Sequence, residues 1–343
     1  MDFIELKNSE GKSIRVRFRQ FKSSDVASFI DLIRDEYGDK YHKRNLYDPE
    51  YIIHQQESGK MITYVAEKSD GEIIGCLSLT RNLPRETSCG ISSGIVLKKY
   101  RRYYIFWNFA KYVAAQVRQI PNVSAIYCRL VLYHDITEKL MERLGLKPTG
   151  FVPQLIIAQN FQHSFSIDEN LKHTLGFTIR KVSKHDAGRI YIAEEHRDFA
   201  QEIYKSLKVK FELIHESQPL NGQTIWNFTN DSIQQNCMIE IDSAGEDLIS
   251  KIESLHSQFN SDLQTFNIFL NMSDPKSVIA YQILKKLGYF FAGFKPLCSE
   301  REVMILHNPR KVSINFDLLT LTENFSKIRD YVKKCYEGRI IVE

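Results

Sequence analysis

Apolar and polar positions alternate along SIRVRFRQF (13–21), which predicts a strand, whereas the apolar residues of SSDVASFIDLIRDEYG (23–38) recur at helical spacing. Ser23 or Ser24 is the expected N-cap of that helix. KMITYVAEK (60–68) and EIIGCLSLT (72–80) read as two strands joined through Ser69, Asp70 and Gly71, a strong hairpin signal. CGISSGIVL (89–97) predicts another strand, and a helix from about 101 to 119 should end before Pro121. The strand SAIYCRLVL (124–132), the helix DITEKLMERLG (135–145) with Gly145 as C-cap, and the strand GFVPQLIIAQ (150–159) complete the first half. After the polar linker FQHSFSIDENLK (161–172), HTLGFTIRKV is expected to open a second half near residue 173. There NCMIEI, GEDLISKIESLHSQF, TFNIFLNM, PKSVIAYQILKKLG and REVMILH repeat the later strands and helices, and the helix TENFSKIRDYVKKCYEG closes the chain at Gly338.

The repetition reaches into the sequence itself. ERLGLKPTGFVP (142–153) and KKLGYFFAGFKP (285–296) share L-G-x4-G-F-x-P. A weaker pair, RQFKSSD (19–25) and RKVSKHD (180–186), places a strand before an aspartate in each half. These features in the same order point to a duplication, with domains at 1–165 and 173–343.

Composition narrows the setting. With 343 residues, 43% of them hydrophobic and 26% charged, each half can bury its own core. No apolar run reaches the ~18 residues that would span a bilayer, and no basic-then-apolar leader opens the sequence, so a cytoplasmic protein with no membrane partner is expected. The 6 cysteines are scattered, without metal-ligand spacing, and read as reduced thiols. No metal site is expected. A net charge of +4 is too small to imply nucleic acid by itself.

The hairpin VAEKSDGEIIGCLSL, the strand-turn-helix GIVLKKYRRYYIFWNFAKYV and the segment YHDITEKLMERLGLKPTGF together resemble the GNAT superfamily of acetyl-CoA-dependent N-acyltransferases, over about residues 14–160. FNIFLNMSDPKSVIAYQILKKLGYFFAGF carries the likeness into the second half. The resemblance implies an α/β (α+β) protein of two tandem GNAT-like domains, each a mixed, mainly antiparallel sheet flanked by helices. The first would be the candidate cofactor-binding half. The second would be degenerate, because MIEIDSAGEDLISKI passes from strand to helix without a phosphate loop.

In the family, a turn of the form Gln/Arg-x-x-Gly-x-Gly/Ala holds the CoA diphosphate on its amides. Here the aligned residues are Arg101, Tyr104 and Phe106, so the arginine matches and the small residues do not. Residues 98–118 hold six basic side chains (Lys98, Lys99, Arg101, Arg102, Lys111, Arg118) and no acidic one, a block suited to a phosphate-bearing ligand through charge-assisted bonds. By resemblance, acetyl-CoA or another acyl-CoA would lie along Ile95, Val96, Leu97, Arg101, Arg102, Tyr103, Tyr104, Ile105 and Phe106. No carboxylate stands on CGISSGIVL to serve as base, and Met141 occupies the place where many members have a tyrosine acid. His134, where the family commonly has an asparagine, is the catalytic candidate. Tyr37 and Tyr41, in the tyrosine-rich link 36–52, and Cys89 are candidate substrate contacts.

Three functions are compatible with these features. One is an acyl-CoA-dependent N-acyltransferase acting on a small-molecule amine or an amino group of a macromolecule. Another is a non-catalytic GNAT-derived binding or assembly module. The third is an aminoacyl-tRNA-dependent transferase, the one reading in which nucleic acid, as tRNA, is a partner. The acceptor and the oligomeric state are not legible.

Overall fold

A computed structural model describes residues 2–41, 43–81, 87–157, 172–184, 186–259, 265–298, 301–310 and 312–341, without the side chains of Lys40 and Cys298. The 161–172 linker lies outside these residues apart from Lys172. The chain packs as two compact units, divided between Cys128 and Arg129, and residues 129–157 group with the C-terminal half. The expected 1–165 domain therefore does not coincide with the first compact unit.

In the first unit, β1 (Ile4–Lys7), β2 (Ser13–Gln20), α1 (Val26–Tyr37), α2 (Pro49–Glu57), β3 (Met61–Lys68), β4 (Ile73–Thr80), β5 (Ser88–Val96) and α3 (Ile105–Gln116) precede β6 (Ala125–Val131), which runs across the division. The strands lie in the order β1-β2-β3-β4-β5-β6, antiparallel except for the parallel pair β5 and β6. Helices cover both faces, as alternation along the strands requires. Phe29, Ile30 and Ile33 of α1 and Ile52 of α2 bury with Met61, Cys76 and Ile95 on one face. On the other, Phe109 of α3 stacks on Phe18 with centroids 5.1 Å apart.

The expected Ser23 or Ser24 cap is not formed. Ser23–Asp25 make a 3-10 turn preceded by Lys22, and Asp25 accepts from the Lys22 N–H at 2.8 Å. Arg19 holds that carboxylate at 2.6 and 2.9 Å, which fixes the turn and delays the α-helix to Val26.

The second unit contains α4 (Ile136–Arg143), β7 (Lys147–Ile157), β8 (Lys172–Lys181), β9 (Gly188–Tyr191), α5 (Arg197–Ser206), β10 (Phe211–Ile214), β11 (Ile225–Asp231), β12 (Asn236–Ser243), α6 (Leu248–Gln258), β13 (Thr265–Asn271), α7 (Ser277–Lys286), β14 (Phe290–Cys298), β15 (Arg301–Asn308) and α8 (Glu323–Glu337). Its strands follow the order β8-β7-β14-β15-β13-β12-β11, while β9 and β10 form a separate parallel pair. β12 and β13 are parallel, and the remaining ladders within this unit's sheet are antiparallel.

The shared L-G-x4-G-F-x-P motif has a structural cause at each glycine. After α4, Gly145 turns at φ +81 while the Leu146 N–H donates to the Met141 carbonyl at 2.9 Å. After α7, Gly288 turns at φ +86 and the Tyr289 N–H donates to the Leu284 carbonyl at 3.0 Å, the same helix-ending arrangement. The second glycines of the two motifs meet each other: Gly150 and Gly293 pair across the β7–β14 ladder. A Cβ on Gly293 would lie 2.2 Å from the Gly150 Cα, so no side chain fits at that crossing.

The weaker motif pair does not survive. HTLGFTIRK is β8, which pairs antiparallel with β7 just as β15 pairs with β14. Its partner is thus β7, whereas Arg19 sits in β2 beside β3, so the two segments have different strand neighbours.

Candidate functional site

The strand before the basic turn carries two irregularities. The parallel ladder of β5 with β6 extends only over Ser88–Ile91 against Ala125–Cys128, yet β5 runs on to Val96 beside β4. Between Cys76 and Ser78 the β4–β5 register shifts, Ser93 takes φ 47, and its carbonyl accepts from the Cys76 Sγ at 3.3 Å. A bulge of this kind re-aims the strand that follows. Ile95 and Val96 are buried, and the Leu97 N–H donates to the Ile74 carbonyl at 3.0 Å.

The predicted helix from 101 is shorter than expected. Lys98–Tyr103 form a 3-10 helix, Tyr104 adopts φ 56, and α3 begins at Ile105. The first α-helical bond runs from the Asn108 N–H to the Tyr104 carbonyl at 3.3 Å, so the N–H groups of Ile105, Phe106 and Trp107 precede the intrahelical ladder. Tyr104 thus performs the left-handed turn that a glycine usually makes, at about 1–2 kcal/mol of strain, with its side chain 64% exposed. The small residue needed for close helix–strand approach stands on the other partner. A Cβ on Gly94 of β5 would come within 3.0 Å of the Phe106 ring. The left-handed turn thus falls at Tyr104, the place of the first small residue in the loop pattern, while the room for Phe106 is supplied by Gly94 on the preceding strand.

The basic block is partly neutralised by acids far along the chain. Arg101 donates through Nε to the Val96 carbonyl at 3.0 Å and pairs with Glu36. Lys99 and Tyr100 bind Glu72 at 2.8 and 2.7 Å, tying the turn to the β3–β4 hairpin. Burial works against the Glu72 carboxylate, but bonds from Lys68, Lys99 and Tyr100 overcome it and hold its pKa at about 2. Arg102 is 78% exposed and makes only a 3.5 Å contact with Glu10, and Lys98 is exposed as well. Lys111 lies over the Trp107 ring at 5.6 Å. Arg102 and Lys98 are thus the cations of this turn most available to a ligand, and Arg101 acts as a clasp between the end of β5 and α1. Tyr103 is half-buried and tilts against Tyr100 at 6.4 Å.

Tyr37 and Tyr41 stack at 4.1 Å, and Tyr41 is buried in the core that includes Leu46 and Ile52. Tyr47 closes the link by donating to the Gly38 carbonyl. Cys89 is fully buried in β5. Burial pushes the Cys76 thiol of β4 up to about 12.

His134 belongs to the second unit. It is half-buried, its ring stands edge-on to Tyr133 at 4.9 Å, and burial lowers its pKa, which leaves the imidazole neutral at pH 7. Met141 is buried in α4.

In the second unit, the strand-to-helix turn between β12 and α6 is filled by the chain itself. Thr224 Oγ1 accepts from the Gly245 N–H at 3.0 Å, and the Gly222 carbonyl accepts from the Glu246 N–H at 3.0 Å. Asp247 accepts from the Thr224 N–H at 2.7 Å, and the Thr224 bond is the main cause of its pKa near 2. A Cβ on Gly245 would lie 2.4 Å from the Gly222 oxygen. The Gly245 and Glu246 amides, which would face an anion at such a turn, are thus used within the chain.

No protein-family model matches the chain, and no curated protein matches its sequence. The solved structures it is similar to include N-acetyltransferases. A mutant form of the spermidine/spermine N-acetyltransferase SpeG from Vibrio cholerae matches at 14% identity and a TM-score of 0.39, covering 49% of this chain and 96% of that one. A putative phosphinothricin N-acetyltransferase matches at 14% identity and a TM-score of 0.39, over 49% of this chain and 99% of the other. Among the described residues no group of three or more His, Cys, Asp or Glu could hold a metal ion, and no helix is long and apolar enough to cross a membrane.

Proposed function

We propose that the N-terminal half, residues 1–165, is a GNAT-type, acyl-CoA-dependent N-acyltransferase domain, the candidate cofactor-binding half of a tandem protein that acts in the cytoplasm on an amine, with its cofactor turn in the first unit. The observation that carries this reading is the bulged β5, which outruns its parallel partner after Ile91 and delivers Val96 to a basic turn at the start of a helix. An acyl-CoA supplies an acyl group activated as a thioester, which an amine acceptor takes up. The residues fit this cofactor by charge and by backbone. Arg102 and Lys98 would hold its phosphates, the N–H groups of Ile105 and Phe106 would reinforce them at the helix start, and Ile95–Leu97 would lie along its arm. Arg101 holds the end of β5 in place for that contact. With no carboxylate on β5, acceleration would come chiefly from proximity and fixed amide dipoles. The second half, with its α6 turn filled, would serve as support.

The binding-module reading is favoured by one specific feature, the Phe106 ring lying against Gly94 beside the end of β5. Two experiments separate the readings. Calorimetry with CoA tests the cofactor, and thiol release from acetyl-CoA across a panel of amines tests the transfer. CoA binding without thiol release from acetyl-CoA in the presence of any amine favours the module; no CoA binding removes the enzyme.

A further inference from the structure

The second unit contains a cavity of about 260 Å³ between the C-terminal part of α7, the start of β14 and the last turns of α8. Its polar wall is a hydrogen-bonded relay. His196, 3% exposed, lies 2.8 Å from the Tyr331 hydroxyl through Nδ1 and 2.7 Å from the Tyr281 hydroxyl through Nε2. Tyr281 donates to Glu195 at 2.5 Å, and Lys285 donates to both oxygens of Glu195 at 2.9 and 3.0 Å. A carboxylate only accepts, so Tyr281 donates to Glu195 and His196 donates from Nε2 to Tyr281, while the single Tyr331 proton is shared between Nδ1 and the Glu195 carbonyl oxygen at 3.1 Å. The side chains of the relay thus satisfy one another within the protein. The wall therefore offers a ligand the half-buried Tyr331 ring rather than open hydrogen-bonding sites, with Phe290 and Phe291 buried behind it.

Charge distinguishes the rim from the wall. Lys285 is matched by Glu195, which leaves Lys334 and Arg339 as the further cations lining the cavity, both near the C-terminal end of α8. Arg339 is held in place by its bond to the Tyr336 carbonyl at 2.7 Å and by its position 3.7 Å over the Tyr336 ring. We propose that this cavity is a binding site for a small carboxylate with a planar apolar body, the ring on the aromatic wall and the carboxylate at Lys334 and Arg339. The volume suits a single ring rather than a drug-sized molecule.

The test uses the full chain with benzoate and phenylacetate as probes and benzamide and benzylamine as controls, read by calorimetry and by ligand-observed NMR. The two carboxylates should bind about tenfold or more tightly than the controls, and Lys334→Ala with Arg339→Ala should weaken benzoate by about tenfold. Tyr331→Phe keeps the rim while breaking the hydrogen-bonded relay, and it should weaken benzoate far less than the double change. Thermal unfolding of each variant confirms that it is folded. Failure of benzoate to bind at about 10 mM, equal binding of benzoate and benzamide, or an unchanged affinity in the folded double variant would overturn the proposal.

Discussion

The meeting of Gly150 and Gly293 makes a quantitative demand on the second unit. In Gly293→Ala the new Cβ would fall 2.2 Å from the Gly150 Cα and 2.8 Å from the Thr149 carbonyl oxygen, and both obstacles are backbone. The φ of +148 at Gly293 adds conformational strain. Forced overpacking contributes about 1–3 kcal/mol and the unfavourable φ about 1–3 kcal/mol, so a loss of about 2–6 kcal/mol is expected. Gly188→Ala is the matched control. It sits in the same unit at φ +71 with nothing within 4 Å of its added Cβ, so it registers strain alone. The chain has 2 tryptophans, Trp107 in the first unit and Trp226 in the second. In a Trp107→Phe background, fluorescence of Trp226 during urea unfolding follows the second unit by itself. With a slope of about 2 kcal/mol per molar urea, Gly293→Ala should lower the midpoint by about 1–3 M, clearly more than Gly188→Ala. Equal shifts in the two variants would refute the close crossing of β7 and β14.

Other consequences are directly measurable. Glu302 is buried, which raises its pKa to about 8 although the Tyr204 hydroxyl and the Leu297 N–H bond to it. Its contribution is fully present below the unfolded pKa near 4.5 and is lost as pH rises through about 8, a change of order 3–5 kcal/mol. Glu302→Gln should flatten the stability–pH profile across that window, and parallel wild-type and variant profiles would contradict the assignment. Tyr104→Gly should leave stability unchanged or raise it by up to about 1 kcal/mol, because relief of the left-handed strain opposes the added backbone entropy. A loss above about 2 kcal/mol in thermal unfolding would mean that the Tyr104 side chain carries packing its exposure denies. Thr224→Val should destabilise the second unit by about 1–2 kcal/mol by removing the oxygen that accepts the Gly245 N–H, read again at Trp226.

What the sequence made legible was local. Alternation located β2, Asp70-Gly71 marked the β3–β4 hairpin, and the two Leu-Gly pairs identified equivalent helix ends at α4 and α7. The misreadings have non-local causes. β8 looked like a first strand because its sequence resembles the segment around β2, but its pairing with β7 is tertiary information. The basic block looked unopposed because Glu10, Glu36 and Glu72 approach it from the β1–β2 turn, α1 and the β3–β4 hairpin. The turn at 104 looked incompatible with a tight approach because a tyrosine in the left-handed region is uncommon and the compensating Gly94 lies on the preceding strand. α5 and the β9–β10 pair carried no signal strong enough to predict.

The central claim, that the turn before α3 holds the phosphates of an acyl-CoA, is tested most directly by calorimetric titration of CoA into the wild-type chain and Arg102→Ala. Arg102 is the informative residue because Arg101→Ala would also release Glu36 and the Val96 carbonyl. A charge-assisted bond of about 1.5–3 kcal/mol corresponds to a loss of about tenfold or more, with pantetheine, which lacks the phosphates, affected little. Saturable CoA binding that weakens by this amount in Arg102→Ala is the predicted result. No heat of binding in the wild type, or equal CoA affinity in the two proteins, would contradict it.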